Sequence, residues 1–304
     1  MQQEPFLVHI ARQWGWRAYA IPVLVVLTAV ILFDIFAPSQ GSTQGQATME
    51  SSASEERSGE PGPIPAEKYN SSFEVGDLPP GPPFAEKSSG EFKEVSLPQP
   101  KVGKGSEKPV AYAVEVESTV DATLSGGGDA FAATVNAIFA DPRGWTADER
   151  YSFEAVKKDR KPTMLIQLVA TETAHQICGN TLGMETSCFI SGQSDGEPGR
   201  VIVNNARWSR GTIAFQGDLG LYRQYLVNHE VGHGLGYASH EPCAVDGAMA
   251  PIMMQQTLSL SNDELHRIDP NEVYAPDGKK CAPNGWPYPM GPQDKQAAPT
   301  QEAR

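Results

Sequence analysis

The chain has 304 residues, a net charge of -13 and a pI near 4.9. That length leaves room for one sizeable domain with appendages. The acidic balance excludes nucleic acid as a natural partner, because gripping phosphates needs a basic face.

Residues 1–17 are polar and carry Arg12 and Arg17, and residues 18–37 are mostly apolar apart from Asp34. A run of about 20 apolar residues spans the hydrocarbon of a bilayer. The arginines precede the run and no lysine or arginine follows until Arg57. The positive-inside tendency therefore predicts a cytoplasmic N-terminus at 1–17, one transmembrane signal anchor at 18–37 and an extracytoplasmic remainder at the cell membrane. A cleaved signal peptide is the alternative, against which stands the lack of a small-x-small site near Phe36-Ala37-Pro38. Residues 38–108 are rich in Ser, Gly, Pro, Glu and Lys. So little apolar surface cannot offset ordering entropy, which predicts a disordered linker, locally stiffened by Pro79, Pro80, Pro82 and Pro83.

A folded domain is predicted over 109–290. Tyr112, Val114 and Val116 alternate with Ala113, Glu115 and Glu117, the period of a half-buried strand. A glycine loop follows, with Asp129 placed to cap a helix whose apolar face is Phe131, Val135, Ile138 and Phe139, stopped at Asp141-Pro142. Tyr151-Ser152-Phe153 suggests a short strand, and residues 163–170 an apolar strand covered on both faces. His175 reads as a solvated residue of a polar loop. Val201-Ile202-Val203 runs into Asn204 to Trp208 as a strand leaving the interior, with Arg207 destined for a surface salt bridge and Trp208 for the core. Asp218 is a helix cap, and Leu221, Tyr222, Tyr225 and Leu226 are the buried face of the helix it begins. Ser261-Asn262-Asp263-Glu264 has the capping-box pattern for a helix through Ile268, with His266 exposed. Residues 291–304 read as a disordered tail. The expected fold class is α+β.

Cys178, Cys188, Cys243 and Cys281 all fall beyond the expected anchor, where disulfides persist. Four cysteines allow three pairings. The expected one joins Cys178 to Cys188 across a short loop and Cys243 to Cys281.

The chemistry concentrates in Asn228-His229-Glu230-Val231-Gly232-His233-Gly234-Leu235-Gly236-Tyr237-Ala238-Ser239-His240. Two histidines four apart on a helix share a face and converge on one metal ion. Glu230, beside the first, sits where a carboxylate takes a proton from water at a catalytic zinc. Gly236 ends the helix, since glycine enters the left-handed region without steric cost, and the chain can return with His240 as third ligand. His229, His233 and His240 then make an open zinc site. Glu264 or Asp263, or Cys243 as a thiolate, are the other candidates for the third position.

His229-Glu230-x-x-His233-x-x-Gly236 followed by a histidine resembles the metzincin clan of zinc peptidases. Pro251-Ile252-Met253-Met254 is similar to the methionine-containing turn of that clan, with Met253 as its methionine. The wording from Tyr222 to Thr257 is closer still to an uncharacterised family of extracytoplasmic metzincin-like proteins of actinobacteria, over roughly residues 109 to 290. The resemblance implies a twisted mixed sheet with an active-site helix, a Zn2+ cofactor, Glu230 as catalytic base, and a peptide or protein substrate laid along an edge strand. Two departures stand out. The pattern's third histidine position is Ser239 here, with His240 one residue later, and Gln255 stands where the clan often has a tyrosine. A catalytically inactive binding module at the cell surface is the alternative these departures motivate, and a zinc amidase acting on cell wall is the alternative suggested by location.

Overall fold

A computed structural model of the chain describes residues 73–121, 123, 126–194 and 196–292, with Val26 and Thr28 besides. The chain divides into two compact units, Met1–Glu67 and Lys68–Arg304. In the first, the described residues Val26 and Thr28 are helical; the rest of the expected anchor, and the tail beyond residue 292, lie outside the described residues. Among the described residues no helix is long and apolar enough to cross a membrane. The second unit is a mixed α/β fold with a twisted mixed sheet.

Its strands are β1 (Phe92–Glu94), β2 (Gln99–Gly103), β3 (Lys108–Glu117), β4 (Tyr151–Ala155), β5 (Met164–Val169), β6 (Cys188–Ile190) and β7 (Gly199–Asn204). Its helices are α1 (Gly128–Ala140), α2 (Thr171–Cys178), α3 (Asn205–Arg210), α4 (Leu219–Leu235) and α5 (Asn262–Ile268). The sheet order is β2-β4-β3-β5-β7-β6. The centre is parallel, β3 with β4 and β5, and β5 with β7, while β2 and β6 close the ends antiparallel. One edge of β3 is shared: β4 pairs with its residues 108–112 and β1 with residues 115–117.

Alternation along the strands sorts two faces. Tyr112, Val114 and Val116 of β3, Ile166 and Leu168 of β5, and Val201 and Val203 of β7 join Phe131, Val135 and Phe139 of α1 and Tyr225, Leu226 and Val231 of α4 in the main core. Fully burying one such side chain stabilises the fold by roughly 1.5–3 kcal/mol. β5 is buried at all six positions, as a central parallel strand should be. The opposite face of the sheet is polar yet also buried. Glu115 accepts from Lys158 Nζ at 2.6 Å and from Gln167 Nε2 at 2.7 Å, and Gln167 in turn accepts from Arg200 Nε at 2.7 Å.

What covers that face corrects the sequence reading. Residues 73–108, expected as linker, are folded, so the domain starts well before residue 109. Glu117 is the reason on one side: its fully buried carboxylate accepts from the backbone N–H of Ser89 at 2.7 Å, of Gly90 at 3.2 Å and of Ala170 at 2.9 Å, and from the Thr173 hydroxyl at 2.8 Å. Burial raises its pKa, but these bonds outweigh burial and hold the carboxyl below the usual glutamate value. Arg207 is the reason on the other. It makes no surface salt bridge; it is fully buried and donates to the carbonyls of Gly76, Asp77, Glu185 and Gly211. Composition misled because two buried charges order this arm by hydrogen bonding, without the apolar surface that a linker lacks.

Other local readings shift for similar reasons. Residues 205–210 form α3 and do not extend the strand, because Asn204 caps it by accepting from the Ala206 N–H. β7 is interior, between β5 and β6, and β6 is the edge strand at that end of the sheet. Trp208 is a core indole, as expected. The N-cap of α1 is Gly127, with Asp129 in its first turn. His175 lies on α2, half-buried, with Nε2 3.0 Å from Glu185. Ser261 begins α5 without a side-chain cap, and Glu264 accepts from the hydroxyl of Ser259. His266 is half-buried and donates to the Tyr274 carbonyl at 3.0 Å. After α4 the chain is irregular around a second apolar cluster of Cys243, Ala250, Met254, Leu258, Leu265, Tyr274 and Cys281. Disulfides join Cys178 to Cys188 and Cys243 to Cys281, which removes Cys243 as a candidate ligand.

Candidate metal centre

Helix α4 positions the first two histidines. Asp218 caps its start by accepting from the Leu221 N–H at 2.8 Å, and Gly236 ends it at φ 108°. Its C-terminal half presses closely on its neighbours. A Cβ on Gly232 would lie 2.5 Å from Met253 Sδ and 2.8 Å from the Trp145 ring; one on Gly234 would lie 2.6 Å from Met164 Cε and 2.9 Å from Phe189. The motif's glycines therefore divide in role: two permit contact and Gly236 permits the turn. Trp145 Nε1 donates to the Asn228 carbonyl at 3.0 Å, and Asn228 Nδ2 to the Gly285 carbonyl at 2.9 Å, which pins the helix just before His229.

After Gly236 the chain doubles back and brings His240 to the other two. Pairwise ring centroids are 4.9, 5.4 and 5.5 Å apart, and one ligand atom from each ring lies within 4.8 Å of the others. Each ring is oriented through Nδ1: His229 toward the Ile252 carbonyl at 2.9 Å, His233 toward the Tyr237 carbonyl at 2.8 Å, and His240 toward Glu272 Oε2 at 3.3 Å. Carbonyl and carboxylate oxygens only accept, so every Nδ1 carries a proton, which leaves Nε2 as the ring atom that can face a metal. His229 Nε2 is buried with no hydrogen-bond partner. An orphaned buried acceptor with two further imidazoles within ligand distance is what a bound cation would satisfy, and the donor set is one that a divalent metal takes. The site fits a metal. The one-residue displacement of His240 is absorbed by the return loop, and Glu264 is spent on Ser259.

The electrostatics agree. Burial, then the neighbouring His233 and His240, hold His229 well below the ordinary imidazole value, and burial pushes His233 down to about 4. Both are neutral, as ligands must be. Glu230 is buried, no hydrogen bond reaches its carboxylate among the described residues, and burial pushes its pKa up to about 8. The hydrogen bond with His240 holds Glu272 below the usual range.

Met253 lies under Gly232, between the two helical histidines. Its turn is fixed by the Tyr225 hydroxyl, which donates to the Met254 carbonyl and accepts from the Gln256 N–H, each at 2.9 Å. Gln255 donates its backbone N–H to the hydroxyl of Tyr274, whose ring lies 6.4 Å from that of His240. Sequence reading missed Glu272, Tyr274 and Trp145. Nothing local marks them, since they come from other parts of the chain and meet the histidines only in the fold. Two cavities flank the cluster: one of about 180 Å³ at His240, reached by Cys188, Leu258 and Tyr274, and one of about 610 Å³ at His233, reached by Phe189 and Ser191. Strand β6 borders both.

Fold and site define an α/β domain with a histidine cluster able to bind a metal ion. A sequence profile described as "Protein of unknown function (DUF3152)" matches residues 78–289. The chain belongs to that family. No curated protein and no solved structure gives a match. The matched span starts within the arm that the structure folds onto the sheet, not at residue 109.

Proposed function

We propose that the chain is a membrane-anchored extracytoplasmic zinc peptidase of metzincin-like architecture. The observation that carries this reading is the convergence of the His229, His233 and His240 imidazoles, with His229 Nε2 buried and unpartnered and the buried Glu230 following on the same helix. Zinc held there would polarise the scissile carbonyl and acidify a water. Glu230 accepts a proton from the attacking water and returns it to the leaving amine; burial alone raises its pKa to about 8, and the charge of a bound cation would favour the ionised form that this role needs. Strand β6, an antiparallel edge beside both cavities, offers its free side to an extended peptide. Met253 supports the floor and takes no part in proton transfer. Two disulfides favour an extracytoplasmic setting.

The test is zinc content and peptide-library cleavage by the full-length chain and its Glu230→Gln variant. Stoichiometric zinc in both, with hydrolysis lost by at least about 100-fold in the variant, is expected. Zinc binding by the unaltered chain without any cleavage would favour the binding-module reading that Gln255 motivates; absence of zinc would end both.

A further inference from the structure

The three Nδ1 acceptors are not alike. Ile252 and Tyr237 offer backbone carbonyls, which no side-chain substitution at those positions removes. His240 alone is oriented by a side chain, Glu272, 32 residues further on. It is also the histidine with least support from regular structure, since it follows the end of α4 and lies in no helix or strand. Its ring has His229 nearly parallel at 5.5 Å and 14° and Tyr274 at 6.4 Å and 26°. Faces are thus bounded, but rotation within that slot is controlled at the ring edge, where Glu272 stands.

The segment bearing Glu272 is held independently of it. Tyr274 is buried, its hydroxyl accepts from Gln255 at 2.9 Å, and its carbonyl accepts from His266 Nδ1 at 3.0 Å. The same tyrosine therefore joins the segment to the turn beneath the metal site. Glu272 and His240 have side chains 38% and 18% exposed, and an ion pair that open contributes little to folding. What such a carboxylate does well is fix tautomer and rotation of a ligand imidazole and raise its basicity.

We infer that Glu272 is a positioning residue of the metal centre: its carboxylate accepts the Nδ1 proton of His240 and turns Nε2 toward the cation. This rests on the metal-binding reading above and goes beyond it by naming the group that makes the displaced histidine a ligand. Glu272 touches neither substrate nor reacting atoms.

Chelator competition with zinc and with cobalt, on the full-length chain, tests the role. Glu272→Ala lowers affinity for both metals about 10- to 100-fold, alters the visible absorption of the cobalt-loaded protein, and leaves the metal-free thermal midpoint unchanged. Glu272→Gln, whose amide oxygen still accepts from Nδ1, recovers most of the affinity. In a His240→Ala background, Glu272→Ala causes no further loss. Unchanged affinity in Glu272→Ala, or an equal loss with and without His240, overturns the assignment while leaving the metal site standing. If the unaltered chain takes up neither metal, the metal-binding reading fails and this one with it.

Discussion

Gly232 sits between the two helical histidines with Met253 Sδ and Trp145 against it. A methyl group there must displace buried neighbours on both sides, and overpacking of this kind costs about 1–3 kcal/mol. Gly232→Ala should therefore lower stability in urea titrations by that amount and weaken zinc retention, since the shift is shared with His229 and His233. The next residue but one toward the N-terminus carries a second, opposite expectation. Glu230 has a native pKa near 8 against an ordinary 4.5, so the metal-free native state prefers the protonated carboxyl. Ionisation as pH rises from 4.5 to 8 then destabilises the fold, because the unfolded chain ionises first and binds fewer protons. Thermal scans of chelator-treated protein should find Glu230→Gln more stable than the unaltered chain at pH 8, with the gap closing toward pH 4.5. An unvarying gap across that range would falsify the buried, unbonded carboxyl.

At the scale of elements, the site is a join between a regular layer and an irregular one. Helix α4 and Met253 belong to the main core on the sheet, whereas Met254, next in the same turn, and Tyr274, close to Glu272 in the chain, belong to the second cluster. That cluster is small, and its staple is Cys243–Cys281, 38 residues apart. Closing a loop of that length restricts the unfolded chain by about 4 kcal/mol in the entropic account. The paired substitution Cys243→Ser with Cys281→Ser should lower unfolding free energy by a value of that order. It should also lower zinc affinity, because Glu272 lies inside the stapled loop and His240 just before its first cysteine. Cys178–Cys188 joins α2 to the edge strand β6 only, so its removal should keep zinc affinity and cost less stability.

For the molecule as a whole, the decisive feature is the arm at 73–108. It supplies β1 and β2, the Ser89 and Gly90 donors to Glu117, and the Gly76 and Asp77 carbonyls to Arg207. A chain begun at residue 109 would leave a buried carboxylate and a buried guanidinium short of partners, and breaking such pairings costs about 3–5 kcal/mol each. That is comparable to the entire stability of an ordinary domain. Expression of residues 109–292 should yield insoluble or unfolded protein, while residues 73–292 should give a cooperative thermal transition; circular dichroism and solubility distinguish the two.

Local rules were enough for a good part of this. The apolar alternation of β3, the unbroken apolar run of β5, the Asp218 cap and the Gly236 stop are each decided within a few residues, so the helix carrying His229, Glu230 and His233 and its place in a chain of mixed strands and helices were legible from sequence, whereas the α+β class was not, because the centre of the sheet is parallel. The spacing of the histidines was legible for the same reason, since one helical turn sets it. Both disulfides match the expected pairing, which sequence alone could not separate from the two others. Legibility stopped where charge meets charge across the fold. The arm read as linker because composition counts apolar surface and does not see Glu117 or Arg207 waiting for backbone partners. His240 could be nominated but not selected over Glu264 or Asp263 until the return loop set its ring against the other two. Glu272 had no sequence signal at all: a carboxylate becomes a partner of an imidazole 32 residues away only when packing around Tyr274 brings them together. Short-range geometry is written in neighbouring residues, whereas the pairing of buried polar groups is settled by which distant segments the hydrophobic cores leave side by side.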